Sequence, residues 1–180
     1  MLDLIPSRLE LAWTLKNPTE KAHLLPKFLS TVSDQYDLVL IDCAPTESIF
    51  TTAAYRSSSY VVVPVKPEFL ATIGLPLLAR SLQEHKVMHQ DQTLDIAGVI
   101  INNMRRVNTP PEQITARNDV TKLAASYGWP VFEEVAYHSD SYPAGSRSAK
   151  PIFQTDYARE FVKDEFGEVA TRFLSAVGAQ

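Results

Sequence analysis

Three short stretches of this chain are apolar almost from end to end: Tyr36-Asp-Leu-Val-Leu-Ile-Asp42, Tyr60-Val-Val-Val-Pro-Val65 and Leu94-Asp-Ile-Ala-Gly-Val-Ile-Ile101. A strand with one wet face alternates apolar and polar residues. Runs without alternation instead suit strands buried on both faces, as in parallel sheets covered by helices. Val131-Phe-Glu-Glu-Val135 is a shorter fourth run. Pro64 lacks a ladder donor and is expected to mark the end of its strand.

The segments between these runs read as helices: residues 19–33 behind Asn17-Pro18-Thr19, 46–56 behind Pro45, then 68–87 and 111–127. Alternating strands and helices predict a doubly wound α/β fold, a mostly parallel sheet with helices on both faces. Val162, Phe166, Val169, Phe173 and Val177 recur at helical spacing and predict an amphipathic helix over 157–177. Tyr137 to Lys150 carries several serines, Pro143 and Gly145 without periodicity, and is expected to be the most mobile loop. With 180 residues, 45% hydrophobic and 21% charged, the chain has globular composition and the length of one domain, residues 1–180.

Glycine excludes a chemistry. Gly74, Gly98, Gly128, Gly145, Gly167 and Gly178 are each separated from the next by eleven or more positions. Phosphate loops and dinucleotide turns need closely spaced glycines so that backbone N–H groups curl round phosphate oxygens. Neither motif lies within these 180 residues. The single cysteine, Cys43, has no internal disulfide partner and reads as a small buried residue in a reducing cytoplasm. A net charge of −4 supplies no global field for nucleic acid, so any DNA contact needs a local basic patch. The opening MLDLIPSRLEL lacks a basic stretch followed by a long apolar run, and no later run reaches about 18 apolar residues, so neither secretion nor a membrane span is expected.

Leu38-Val-Leu-Ile-Asp42 places a carboxylate at the carboxyl end of an expected parallel strand, where open α/β sheets bind ligands. A strand-end aspartate also serves as a helix cap or turn former. His85 and His89 have i,i+4 spacing without an HExxH context and read as a solvated helix end. His138, Ser139 and Asp140 are adjacent, but no nucleophile elbow accompanies them.

Asp37-Leu-Val-Leu-Ile-Asp-Cys-Ala-Pro45 followed by Val63-Pro-Val-Lys-Pro-Glu-Phe-Leu-Ala-Thr-Ile-Gly-Leu75 resembles the ParA/MinD family of deviant Walker-A partition ATPases. Leu2-Asp-Leu-Ile-Pro-Ser7, Gly98-Val-Ile-Ile-Asn-Asn103 and Ala149-Lys-Pro-Ile-Phe153 match in family order. The resemblance implies the carboxyl-terminal portion of a P-loop NTPase-like domain, with Met1 beyond the first strand and the lysine-rich phosphate loop. It implies ATP and Mg²⁺ as cofactors. Asp42 matches the Walker B aspartate that orients Mg²⁺ through its waters, and Pro45 a proline of the switch-like turn beside the γ-phosphate. Ala44 replaces the proline that more often precedes Pro45.

Asn102 and Asn103 end a strand where the family approaches adenine, and an amide offers both a donor and an acceptor to a base edge. Either residue also suits capping of the strand end. Met104 flanks the ring or packs in the core. Ala136-Tyr137-His138 departs from the family's Ile-Pro, and Tyr137 and His138 read as exposed loop residues or as a base-stacking pair. Arg105, Arg106, Arg147 and Lys150 are the candidates for nonspecific DNA, diluted by Glu133, Glu134 and Asp140.

Two functions remain open. In the first, the chain is part of a ParA-type ATPase that forms a homodimer around ATP, binds DNA nonspecifically and partitions plasmid, chromosome or other cargo with a ParB-type partner. Such a protein is expected in the bacterial cytoplasm, on the nucleoid, without membrane attachment, because the carboxyl terminus has no basic amphipathic face. In the second, it is a nucleotide-free interaction module that binds a full-length relative or a partition partner. Without a phosphate loop, the 180 residues alone are predicted to be inactive as an ATPase.

Overall fold

The computed structural model describes residues 3–7, 21–44, 46–90, 93–147 and 149–179. The chain divides into two compact units, 1–59 and 60–180.

In the first unit a 3-10 turn, Lys21–His23, leads into helix α1, Leu24–Leu29, and a second turn covers Ser33–Gln35. Helix α2, Ile49–Tyr55, packs on α1 and on the first turn. Ser48 starts α2 from an extended backbone, and its Oγ accepts from the Thr51 N–H at 3.3 Å, satisfying one of the donors orphaned at a helix start. The run 36–42, expected as a strand, joins no ladder. Leu38, Val39 and Leu40 are exposed, Leu40 at 72%. An apolar run becomes a strand only where a neighbouring strand meets its backbone donors and acceptors, and none among the described residues pairs with this one.

The second unit carries the sheet. Strand β1, Tyr60–Val65, is followed by helix α3, Phe69–His89, strand β2, Asp95–Met104, helix α4, Pro111–Ser126, and strand β3, Ala136–Tyr137. Helix α5, Ser141–Arg147, a 3-10 turn, Ile152–Gln154, and helix α6, Glu160–Val177, complete it. The sheet order is β1-β2-β3, parallel throughout. Pro64 lies inside β1, opposite Ile100. Among the described residues β1 pairs with β2 alone, and an edge strand tolerates a missing donor on its open side.

Val65, Leu75, Val99, Ile101, Val120 and Ala124 form the core between the sheet and the α3–α4 pair. Fully burying an aliphatic side chain of this size is worth about 1.5–3 kcal/mol. Residues next to one another in a strand face opposite ways. The other face of β2 is therefore that of Gly98, where the fully buried ring of Phe132 sits and where α6 packs on β2 and β3. Helices cover both faces, as the apolar runs require. The α6 stripe buries Val162 and Val169, while Phe166 meets the rings of Tyr142 and Phe153. Gly178 ends α6 at φ 71°, a left-handed turn in which the Ala179 N–H reaches the Leu174 carbonyl at 3.0 Å.

Three local expectations change. Val131 makes a single bridge to Val99, and the paired strand lies later, at Ala136–Tyr137. Residues 141–147 are helical within the segment expected to be an unstructured loop. His85 is buried rather than solvated, its ring centroid 4.7 Å from that of the exposed His89.

Candidate functional site

β2 is the middle strand of the three, and its pairing with β3 shifts register at its carboxyl end. Asn102 pairs with Ala136 and Met104 with Tyr137, leaving Asn103 as an extra residue between the two pairs. Asn103 has φ 58°, a left-handed conformation that asparagine adopts more readily than most residues. The bulge resets the alternation of the strand. Val99 and Ile101 face the core, and strict alternation would send position 103 after them. Met104 enters that core cluster instead, 6% exposed. Asn103 is released toward β3, and Asn102 is exposed.

The freed amide meets a histidine 35 positions away. The His138 backbone N–H donates to the Met104 carbonyl at 2.9 Å, holding the residue beside the strand end. Its Nδ1 lies 2.8 Å from Asn103 Oδ1, and its Nε2 lies 3.5 Å from Asp140 Oδ1. An amide can accept from or donate to an imidazole nitrogen, so the direction of this hydrogen bond follows the tautomer of His138. Among the described residues, the other end of the Asn103 amide has no partner.

The loop after β2 is held by its own polar contacts. The Arg105 N–H donates to Gln113 Oε1 at 3.0 Å, and Thr109 Oγ1 donates to the Arg105 carbonyl at 2.8 Å. Arg106 is committed to the fold. Its guanidinium lies 4.5 Å from the Tyr137 ring centroid and 5.2 Å from that of Phe161, and it pairs with Glu165. All four basic candidates for DNA are exposed, and of them Arg106 alone is engaged by the rings and the carboxylate just named. Tyr137 is half-buried under Arg106 and is not a free stacking platform.

In the first unit Asp42 is an exposed carboxylate in the unpaired segment, not at the end of a strand. Cys43, expected to be buried, is exposed. Partial desolvation raises its thiol pKa and the Asp42 charge raises it further, so the thiolate is disfavoured. Pro45 lies outside the described residues. Thus Asn102, Asn103 and Met104 share one strand end with Tyr137 and His138, whereas Asp42 belongs to the other unit. The Asn103–His138 contact had no signal in the sequence beyond the two residue types.

Comparison with known proteins adds a family assignment. The family profile described as AAA domain matches residues 1–96. The chromosome partitioning protein ParA of Caulobacter vibrioides is 28% identical over 160 residues, covering 86% of this chain and 58% of that protein. The apo McdA structure from Cyanothece superposes with a TM-score of 0.73 at 17% identity, covering 93% of this chain and 66% of that one. The cell division ATPase MinD of Pyrococcus furiosus superposes with a TM-score of 0.58, also at 17% identity, over 88% of this chain and 58% of that one. The chain spans about half the length of the curated relatives it matches. No helix among the described residues is long and apolar enough to cross a membrane.

Proposed function

The chain belongs to the AAA domain class and, within it, to the ParA/MinD family of partition ATPases, and on that premise we propose that it forms, as one partial domain, the base-side portion of a nucleotide site. The observation that carries this reading is the end of β2. Asn102 and Asn103 sit at the carboxyl edge of the middle strand of an open parallel sheet, where such folds bind ligands. One end of the Asn103 amide is taken by His138, and the other is left to meet a ligand group of matching polarity. Met104 supports the strand end from the core rather than flanking a ring.

The residues fit the two ends of a nucleotide unequally. The base end fits, with Asn102 exposed and one end of the Asn103 amide left unengaged by His138. The phosphate end does not, since the 180 residues hold no cluster of glycines and no lysine-rich loop; no phosphoryl-transfer step is derived for them. Among the described residues, no group of three or more His, Cys, Asp or Glu side chains is placed to hold a metal ion. By its match to the family's Walker B aspartate, Asp42 would hold Mg²⁺ through the ion's waters. Pro45 would stiffen the turn that follows. In this reading the whole protein dimerises around ATP, holds DNA through exposed cations such as Arg105, Arg147 and Lys150, and works with a ParB-type partner to move cargo at the bacterial nucleoid.

The test is a pair of titrations of the 180-residue protein, with adenosine and with Mg–ATP. Equal, weak affinities are expected, together with no release of phosphate from ATP. A strong preference for ATP, or turnover abolished by Asp42→Ala, would overturn the assignment of base-side binding only. A second reading, the interaction module, is favoured by the exposed apolar side chains Phe69, Leu70, Ile73 and Leu77 of α3 and by the open edge of β1. Exposed apolar side chains and an open strand edge each suit a protein partner, whatever their mutual placement. A stable monomer at high concentration in size-exclusion chromatography would count against it.

A further inference from the structure

We propose that helix α3 is a self-association surface, through which two copies of this chain pair α3 against α3, antiparallel and without nucleotide. The inference rests on the interaction-module reading above and names its partner as a second copy.

From Phe69 to Ala79 the helix carries no charged residue. Its inward side is held in the fold, with Leu75, Leu82 and His85 buried. The opposite side faces water, where Leu70, Ile73 and Leu77 are 73%, 48% and 62% exposed. These three follow at steps of three and four and form one seam along the helix, which Arg80, Glu84 and Val87 continue. A Cβ built on neighbouring Gly74 meets nothing within 4 Å, so the surface beside the seam is open to a second backbone. An apolar seam at this spacing is the kind that packs on another helix.

The flanking charges decide both the partner and the direction. Lys66 pairs with Glu68 before the seam at 2.5 Å, and Arg80 pairs with Glu84 after it at 2.7 Å. All four side chains are well exposed, so the pairs are weak and their charges can take further partners. Two cations and two anions give the face no net charge, which favours neither an acidic nor a basic partner. It does match itself. A two-fold axis midway between Ile73 and Leu77 sets Ile73 of each copy against Leu77 of the other, and lays Leu70 along the aliphatic stem of Arg80. Positions 66 and 84 are equally far from that axis, and 68 and 80 nearly so. Lys66 of each copy therefore approaches Glu84 of the other, and Glu68 approaches Arg80. A parallel pairing would instead oppose Arg80 to Arg80 and Glu84 to Glu84, and like charges repel.

The experiment is sedimentation of the full 180-residue protein over a range of concentrations, without nucleotide. A reversible monomer–dimer equilibrium is expected. Leu77→Asp, and Leu70→Asp as an independent variant, bury a charge in the seam twice per dimer and should each weaken dimerisation about 100-fold. Both positions are exposed in the single chain, so circular dichroism should stay unchanged. Arg80→Glu and Glu68→Arg each oppose like charges and should weaken self-association about three- to tenfold. An equimolar mixture of these two variants should recover the affinity of the unaltered protein, because each then meets the opposite charge on the other. A dimer indifferent to both aspartate variants, or a mixture no tighter than either charge variant alone, would refute the α3 pairing and leave the interaction-module reading standing. A dimer that forms only with Mg–ATP would refute it as well. A protein that stays monomeric at high concentration would overturn this pairing and count against that reading too.

Discussion

Gly98→Ala is a one-carbon change whose cost follows from three distances. A Cβ built on Gly98 falls 2.1, 2.7 and 3.0 Å from Cε1, Cδ1 and Cζ of Phe132. Non-bonded carbons rest at about 3.5–4.0 Å, so the ring has to retreat by more than an ångström. It has little room to do so. Phe132 is 1% exposed, the Arg172 guanidinium lies 5.3 Å from its centroid, and its backbone N–H donates to the Val99 carbonyl at 2.9 Å. Val99 in turn donates to the Pro130 carbonyl at 2.8 Å, so β2 and the segment bearing Phe132 are stitched on both sides of the clash. Overpacking of this kind costs about 1–3 kcal/mol, and the pinned backbone places Gly98→Ala at the upper end. With a urea dependence of about 1–3 kcal/mol per molar, the unfolding midpoint followed by far-ultraviolet circular dichroism should fall by roughly 1 M. Phe132→Leu alone is destabilising through lost packing, but it opens the space the methyl needs. The double variant should therefore be more stable than the sum of the single effects, with a coupling of about 0.5–3 kcal/mol. An unchanged midpoint in Gly98→Ala, or strict additivity in the double variant, would refute this account of the packing.

Arg106→Ala should destabilise the protein by about 1–2 kcal/mol in the same urea assay, because an ion pair and contacts to two rings are lost together; Arg106→Lys should recover little of it, since an ammonium does not stack as a planar guanidinium does. Cys43 should alkylate more slowly near pH 8 than an unperturbed thiol, and Asp42→Asn should speed the reaction, because removing a neighbouring negative charge lowers the thiol pKa and enlarges the thiolate fraction; iodoacetamide rates against pH measure both. Tyr36 donates to Asp3 Oδ2 at 2.7 Å, and that hydrogen bond, with desolvation and the Asp3 charge, raises its pKa. The raised value stabilises the protonated phenol in the folded state, so any stability it lends is present below its ordinary titration and lost as pH rises through the folded value. Asp3→Ala should bring the ultraviolet titration of Tyr36 back toward that of a free tyrosine.

Local composition was enough to predict β1, β2, α3, α4 and α6 within a few residues, since unbroken apolar runs and helical spacing are properties of a segment by itself. The same reasoning predicted a strand at 36–42, where the residues are equally apolar. A strand also needs a neighbour, and pairing is not written in the run that seeks it. The third strand was expected at Val131–Val135 and lies at Ala136–Tyr137, because its place depends on where β2 ends. That end depends on a bulge created by one residue adopting a left-handed backbone.

The sequence by itself determined the class of fold and, through the spacing of six glycines, the lack of a phosphate cradle within these 180 residues. Resemblance to the family, carried by local motifs, is what drew Asn102 and Asn103 out as candidates. Tertiary structure alone decided which of the two is held and how. Met104 reaches the core only because Asn103 is extra in the ladder, and Asn103 meets His138 only because β3 brings a residue 35 positions away to the same height. Chain connectivity carries no information about that separation. Register and backbone twist do, and they exist only once the sheet has formed.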